Sequence, residues 1–234
     1  TMRTPGNDKD LVVGHLLAEG IINSYDDIDW DKKGVVSVEG KSSHICVYLK
    51  KEPRDLDILE RSSYMSSSCG VCGKASIESL DILQKLKCVE GQEDERINDF
   101  LPSNFFFSLP SILRKNQDIF KKTGGLHGAM LVDFDGNMVT LREDVGRHNA
   151  VDKLFGHCLL KGINPKLGVL LLSGRISFEL IQKASKSGVR YVAGIGAPSS
   201  YAVSLARKND MTLLGFLKEE SFNCYTGNER ILYE

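Results

Sequence analysis

The sequence predicts an α/β fold in which a sheet with parallel strands is covered by helices and preceded by a smaller α+β unit. Strand and helix signals in the second half follow the order ββαβαβαβ, which favours right-handed crossovers packed on a sheet. Two of those strands, within KLGVLLLS and VRYVAGIG, are short apolar runs, as expected of strands buried on both faces. The chain has 234 residues, 41% hydrophobic and 26% charged, enough to bury one substantial core or two smaller ones without disulfide staples.

The elements read in order as follows. LVVGHLLAEGIIN, residues 11–23, repeats apolar residues at helical spacing, with Asp8 or Asp10 as the cap and Gly20 or Asn23 as the stop. KGVVSVEG and HICVYLK alternate apolar and polar residues around a Gly-Lys-Ser-Ser link, the pattern of a β-hairpin. A polar stretch, KEPRDLDILERSS, leads to the segment SSSCGVCG at 66–73. Ile77, Leu80, Leu83 and Leu86 then suggest an amphipathic helix. Residues 89–104 are charged and carry a proline, which places a domain boundary there: an N-terminal α+β domain over 1–104, and a second domain over 105–234.

In the second domain, AMLVDF and MVTLRED flank Asp135-Gly136-Asn137, a strong hairpin signal. VGRHNAVDKLFGHCLLKG reads as a helix, followed by the KLGVLLLS strand. ISFELIQKASKSG is a helix ending at Gly188, and VRYVAGIG a strand. SSYAVSLARKND is a further helix and MTLLGFLK a further strand.

Charge and length exclude some classes. A formal net charge of −1 argues against a basic surface built for nucleic acid. The apolar runs are too short to span a bilayer, and the polar start TMRTPGNDKD shows no signal peptide. Six cysteines, of which only Cys69 and Cys72 lie close together, indicate a reducing, cytoplasmic setting rather than a disulfide scaffold.

The Cys69/Cys72 pair is the first candidate site. Gly70 and Gly73 allow a tight bend that brings both sulfurs to one side. A zinc site needs about four ligands and one CxxC supplies half of them, with His44 and Cys46 available across space. A redox dithiol, a structural turn, and a nucleophilic or sulfur-carrying thiol are the other readings. A free thiol is only a few per cent ionised at neutral pH, so activation falls to neighbours such as Lys74 and Arg61.

The second candidate is a set of glycine-bearing turns: TGGLHGA at 123–129, REDVGRHNA at 142–150, LSGRIS at 172–177 and GIGAPSS at 194–200. Where such turns follow strands and open helices, free backbone N–H groups suit a phosphate, and Arg147 and Arg175 add charge-assisted contacts. The plain alternative is that the glycines serve turns and the arginines pair with Glu143, Asp144 or Glu179. His127 and His148 are acid–base candidates or structural hydrogen-bonders. His157 reads as ordinary helix surface or core.

Taken together, CGVCG, GGLHGA, EDVGRHNAVDK, LSGRISFE and the closing GFLKEESFNCYTGNERI resemble the formate dehydrogenase accessory sulfurtransferase family, and LVVGHLLAEGII resembles its N-terminal helix. The resemblance departs at the start, where family members carry an additional strand segment before the first helix. It implies a second domain of three-layer αβα, cytidine-deaminase-like architecture with a mixed sheet. It also implies an activity: sulfane sulfur passes from a cysteine desulfurase to Cys69 as a persulfide, with Cys72 an auxiliary thiol. From there the sulfur goes to the molybdenum or tungsten bis-molybdopterin guanine dinucleotide cofactor of formate dehydrogenase. Phe216, Leu217, Lys218, Glu219, Glu220 and Ser221 match the stretch associated with binding that cofactor. A homodimer is implied as well. Zinc deaminase chemistry is not, because the sequence has no H-x-E and its CxxC precedes the second domain. Its rival is a cofactor-binding chaperone whose thiols are incidental.

Overall fold

The structure is a computed structural model that describes residues 1–38, 44–52 and 100–233. The Cys69/Cys72 segment, the stretch expected to form a helix around residues 77–86 and the boundary stretch up to residue 99 lie outside the described residues.

The body is a six-stranded mixed sheet between helical layers. Strands β4 (His127–Asp133), β5 (Met138–Asp144), β6 (Gly168–Leu172), β7 (Tyr191–Gly194), β8 (Thr212–Gly215) and β9 (Asn223–Thr226) lie in the order β5-β4-β6-β7-β8-β9. The central β6, β7 and β8 are parallel, and the flanking pairs are antiparallel. Strand β6 is buried at every position, as its unbroken apolar run predicts. The hairpin at Asp133–Asn137 forms as read, with the Asp133 carboxylate accepting the backbone N–H of Asp135 and Asn137.

Alternation along the strands divides the core in two. Ala129, Leu131, Leu170, Leu172, Val192 and Leu213 face helices α4 (Arg147–Lys161), α5 (Phe178–Lys186) and α6 (Ser200–Lys208). Met130, Val132, Val169, Leu171, Tyr191 and Leu214 face the other way, onto helix α2 (Ser103–Asn116). Helix α2 was not foreseen. Pro110 sits inside it, where proline removes a helix hydrogen bond, yet Phe106, Leu109 and Leu113 keep helical spacing and bury against the sheet. The short α3 (Asp118–Thr123) follows, its first N–H groups accepted by Glu143. The edge strand β9 was not foreseen either, nor were β3 (Leu101–Pro102) and β10 (Ile231–Leu232), which pair in parallel.

The first helix, α1 (Asp8–Glu19), ends at Gly20 in the left-handed conformation, as expected. Its start departs from expectation. Asn7 takes the cap position, because Asp8 pairs with Arg3 and Asp10 with Arg142 (2.9 Å) and His157 (3.4 Å). Helix α1 crosses α4 at two glycines. A Cβ on Gly14 would stand 1.8 Å from the Asp152 carbonyl oxygen, and one on Gly156 1.8 Å from that of Asp10, so only glycine permits this approach. Strands β1 (Val35–Val38) and β2 (His44–Val47) form the antiparallel hairpin predicted. Ile22, Ile28 and Val35 join Val13 of α1 and Leu159 and Leu160 of α4 in a third apolar cluster.

Candidate functional site

Strand direction decides where the site lies. Because β4 runs against β6, the start of β4 and the end of β5 reach the same edge as the ends of β6, β7 and β8. His127 lies opposite Asp144, Ala129 opposite Leu172, Leu172 opposite Gly194, and Ala193 opposite Leu214. All four predicted glycine turns therefore converge on one sheet edge, joined by the 216–222 turn that follows β8. Edges of this kind, at the carboxyl ends of parallel strands, are where open α/β sheets hold ligands.

The turns are bonded to one another in series. Gly196 donates its N–H to the Gly174 carbonyl (3.2 Å), Phe216 to Gly196 (3.2 Å), and Leu217 to Gly194 (3.0 Å). On the other side, Gly128 donates to the Ser173 hydroxyl at 2.8 Å, and Ser173 donates back to Gly128 at 3.0 Å. Gly196 is required by this stacking, since a Cβ there would come within 2.7 Å of the Arg175 backbone nitrogen.

A cleft of about 830 Å³ opens at this edge, between the 217–221 turn, the 124–127 turn, and the end of α2 with Gln117. That size accommodates a nucleotide-like ligand. Of the six residues implied for cofactor binding, Leu217 to Ser221 line the cleft. Leu217 is itself buried in the core, whereas Lys218, Glu219, Glu220 and Ser221 are exposed; Lys218 N–H closes the turn on the Ser221 carbonyl at 2.8 Å. Phe216 precedes them with φ +52° and a 45% exposed side chain. An aromatic residue held in the left-handed region with its ring in solvent is a strained arrangement of the sort found at binding sites. Gln117 was missed by sequence reasoning. It is buried in the cleft wall with no partner for its side-chain nitrogen among the described residues.

Electrostatics distinguish the charges of this edge. Asp144 is fully buried and fully engaged. It pairs with Lys153 at 2.7 Å and accepts N–H groups from Thr4, Gly146 and Asn149. Glu143 is taken by α3. Glu179 stands 3.8 Å from His148, whose Nε2 lies 3.1 Å from the Ser177 hydroxyl. Burial works to raise the Glu179 pKa, but hydrogen bonding and the nearby imidazole outweigh it and leave it below the ordinary carboxylate value. Arg147 and Arg175 have none of these carboxylates as ion-pair partners, so the plain alternative for them does not hold among the described residues. Arg147 Nε is buried without a hydrogen-bond partner there. Burial, then the charges of Arg147, Arg175 and His148, push the His127 pKa down, which keeps this imidazole neutral beside two guanidinium groups.

His44 and Cys46 stand on the exposed side of the hairpin. Among the described residues, no three histidine, cysteine, aspartate or glutamate side chains gather as metal ligands. The same residues include no helix long and apolar enough to cross a membrane.

Comparison with known proteins agrees with the fold. A crystal structure of a protein assigned as a formate dehydrogenase accessory protein, from Desulfotalea psychrophila, superimposes with a TM-score of 0.70 at 23% identity, over 99% of this chain and 83% of that one. A protein of Sulfurisphaera tokodaii named "Sulfur carrier protein FdhD" is 42% identical over 232 residues, 99% of this chain and 83% of its own length. A protein of the same name from Mycobacterium tuberculosis is 42% identical over 241 residues, covering 99% of this chain and 84% of its own. The FdhD/NarQ family matches residues 1–232, and the chain belongs to that family.

Proposed function

We propose that this protein is a sulfur carrier in formate dehydrogenase maturation and works as a sulfurtransferase, with Cys69 as the carrying thiol. The observation that supports it best is the cleft at the carboxyl edge of the sheet, walled by Leu217–Ser221, in a chain whose relatives are named sulfur carriers. The Cys69 thiolate attacks the sulfane sulfur of a cysteine desulfurase persulfide. The S–S bond of the donor breaks, its cysteine thiolate leaves, and Cys69 keeps the terminal sulfur. Releasing that sulfur as sulfide takes two electrons. Cys72 supplies them by attacking the inner sulfur, closing a Cys69–Cys72 disulfide and expelling hydrosulfide, and a thiol reductant then reopens the pair.

The acceptor is the bis-molybdopterin guanine dinucleotide substrate of molybdenum or tungsten, held in the cleft. The exposed polar side chains of the 218–221 turn and the ring of Phe216 offer contacts to its base and pterin. Incubation with a desulfurase and cysteine should add one sulfur to the peptide containing Cys69. Cys69→Ala should lose that mass and at least about a hundredfold of formate dehydrogenase activation, as expected when a covalent carrier is removed. Full activation by a Cys69/Cys72 double variant would overturn the carrier role and leave a cofactor-binding chaperone.

A further inference from the structure

We propose that Thr4 is a positioning residue for the transfer step: with the short segment that carries it, residues 1–6, it fixes the turn between β5 and α4 from outside the cleft. This rests on the sulfur-carrier reading above and gives a task to a part of the chain that includes neither the cleft nor the thiols.

Thr4 commits all its polar groups to that corner of the fold. Its N–H donates to the Asp144 carboxylate at 3.0 Å, its hydroxyl accepts the Val145 N–H at 2.9 Å, and its carbonyl accepts from the Lys153 ammonium at 2.8 Å. Two residues earlier, the Met2 carbonyl accepts from the Asn149 side chain at 2.9 Å. The bonds to Asp144 and Lys153 involve charge and are the stronger kind. Those two side chains are 0% and 1% exposed and pair at 2.7 Å. Without Thr4 the ammonium would keep Asp144 and a long contact, 3.5 Å, to the Glu143 carbonyl. A buried ion pair tolerates little loss of its accessory hydrogen bonds, so the pair holds down the segment that covers it. Arg3 adds a two-armed ion pair with Asp8 at the start of α1, at 2.6 and 3.1 Å.

From the corner, the constraint reaches the cleft by two routes. Asp144 lies opposite His127, which lines the cleft. Gly146, whose N–H is bonded to Asp144, caps α4, and His148 two residues on reaches the Ser177 hydroxyl at 3.1 Å. Ser177 ends the turn that begins with Ser173, another cleft residue, which is bonded in both directions to Gly128. Val145 turns a 43% exposed side chain to solvent, so its own burial does little to fix the corner and hydrogen bonds carry that task.

Thr4→Val in the full chain tests this, because it keeps the shape and the backbone bonds and removes only the hydroxyl acceptor; Thr4→Ser restores that acceptor. Thr4→Val should speed hydrogen exchange in the peptide spanning residues 144–150 by roughly three- to tenfold, the worth of one hydrogen bond. Its thermal midpoint should fall by no more than about 4 °C. Loading of sulfur onto Cys69 by a desulfurase should match wild type, whereas activation of formate dehydrogenase should drop by roughly three- to tenfold, and Thr4→Ser should restore both exchange and activation. Arg3→Ala removes the ion pair to α1 and none of the bonds to the turn, and should stay within about twofold of wild type in every measurement. Unchanged exchange in Thr4→Val, or a loosened turn with full activation, would overturn the proposal. So would an equal loss of loading and activation, which marks a merely structural role. If Cys69→Ala activates fully while Thr4→Val does not and Thr4→Ser does, the carrier reading falls and the positioning role of Thr4 stands.

Discussion

Two clusters of charge lie within a few residues of each other and serve opposite purposes. Around helices α1 and α4 the buried ions are paired: Lys153 with Asp144, Lys183 with Asp152 at 2.5 Å, Arg142 with Asp10. At the adjoining sheet edge, Arg147 and Arg175 are without ion partners among the described residues, although Arg147 is only six positions before Lys153. Burial explains the first cluster, since an ion taken out of water must be paired. The second is open to solvent, Arg175 being exposed and Arg147 half-buried, so unpaired charge persists there. Paired charge marks architecture, and unpaired charge in a concave edge marks a site.

The sharpest way to break this contrast is to unpair one side. Lys153→Met leaves the Asp144 charge buried with hydrogen bonds but no counter-ion, and should cost about 3–5 kcal/mol in urea unfolding. Arg175→Ala, by contrast, should change stability by no more than about 0.5 kcal/mol. Equal losses in the two variants would show that both clusters are structural.

Phe216 tests the same contrast in the backbone. Its left-handed conformation costs a non-glycine residue of order 1 kcal/mol. The ring is 45% exposed and recovers little of that by burial. Phe216→Gly should therefore hold or raise stability by up to about 1 kcal/mol while weakening GDP binding. A clear loss of stability would mean that the ring is part of the core.

How far the sequence disclosed this division follows from which forces are local. The strands of the central sheet were legible because their apolar runs and flanking glycines are properties of neighbouring residues, as in KLGVLLLS. Convergence of the turns was legible because strand order constrains it. Helix α2 was hidden by Pro110, whose cost is outweighed by burying Phe106, Leu109 and Leu113 on a sheet formed from later residues. The role of Asp144 was hidden too: in the motif EDVGRHNAVDK nothing separates Asp144 and Lys153, which bond to each other and to Thr4, from Arg147, which does not. Gln117 carried no signal, because an amide in a polar stretch acquires meaning only when folding buries it.

The smallest effect is the pH dependence, and it separates the two clusters once more. His127 at the edge and His157 in the seam are both shifted down, each first by burial; positive neighbours add to this for His127, whereas for His157 the lowering by Arg142 is opposed by Asp10. A depressed histidine is protonated in the unfolded chain before it is protonated in the folded one. Its contribution to stability is therefore complete above the unfolded pKa of about 6.5 and is lost as pH falls below that value. Urea midpoints should decline between about pH 7.5 and about pH 5.5, above the range in which Glu179 titrates. Pyrophosphate should remove the His127 share of the decline, because an anion at the edge stabilises the imidazolium. It should leave the His157 share, because Asp10 and Arg142 already fix the charge around that ring. His127→Gln and His157→Gln should each flatten the profile in part, and only the first should make it insensitive to pyrophosphate. A profile equally sensitive to the anion in both variants would place the anion away from His127.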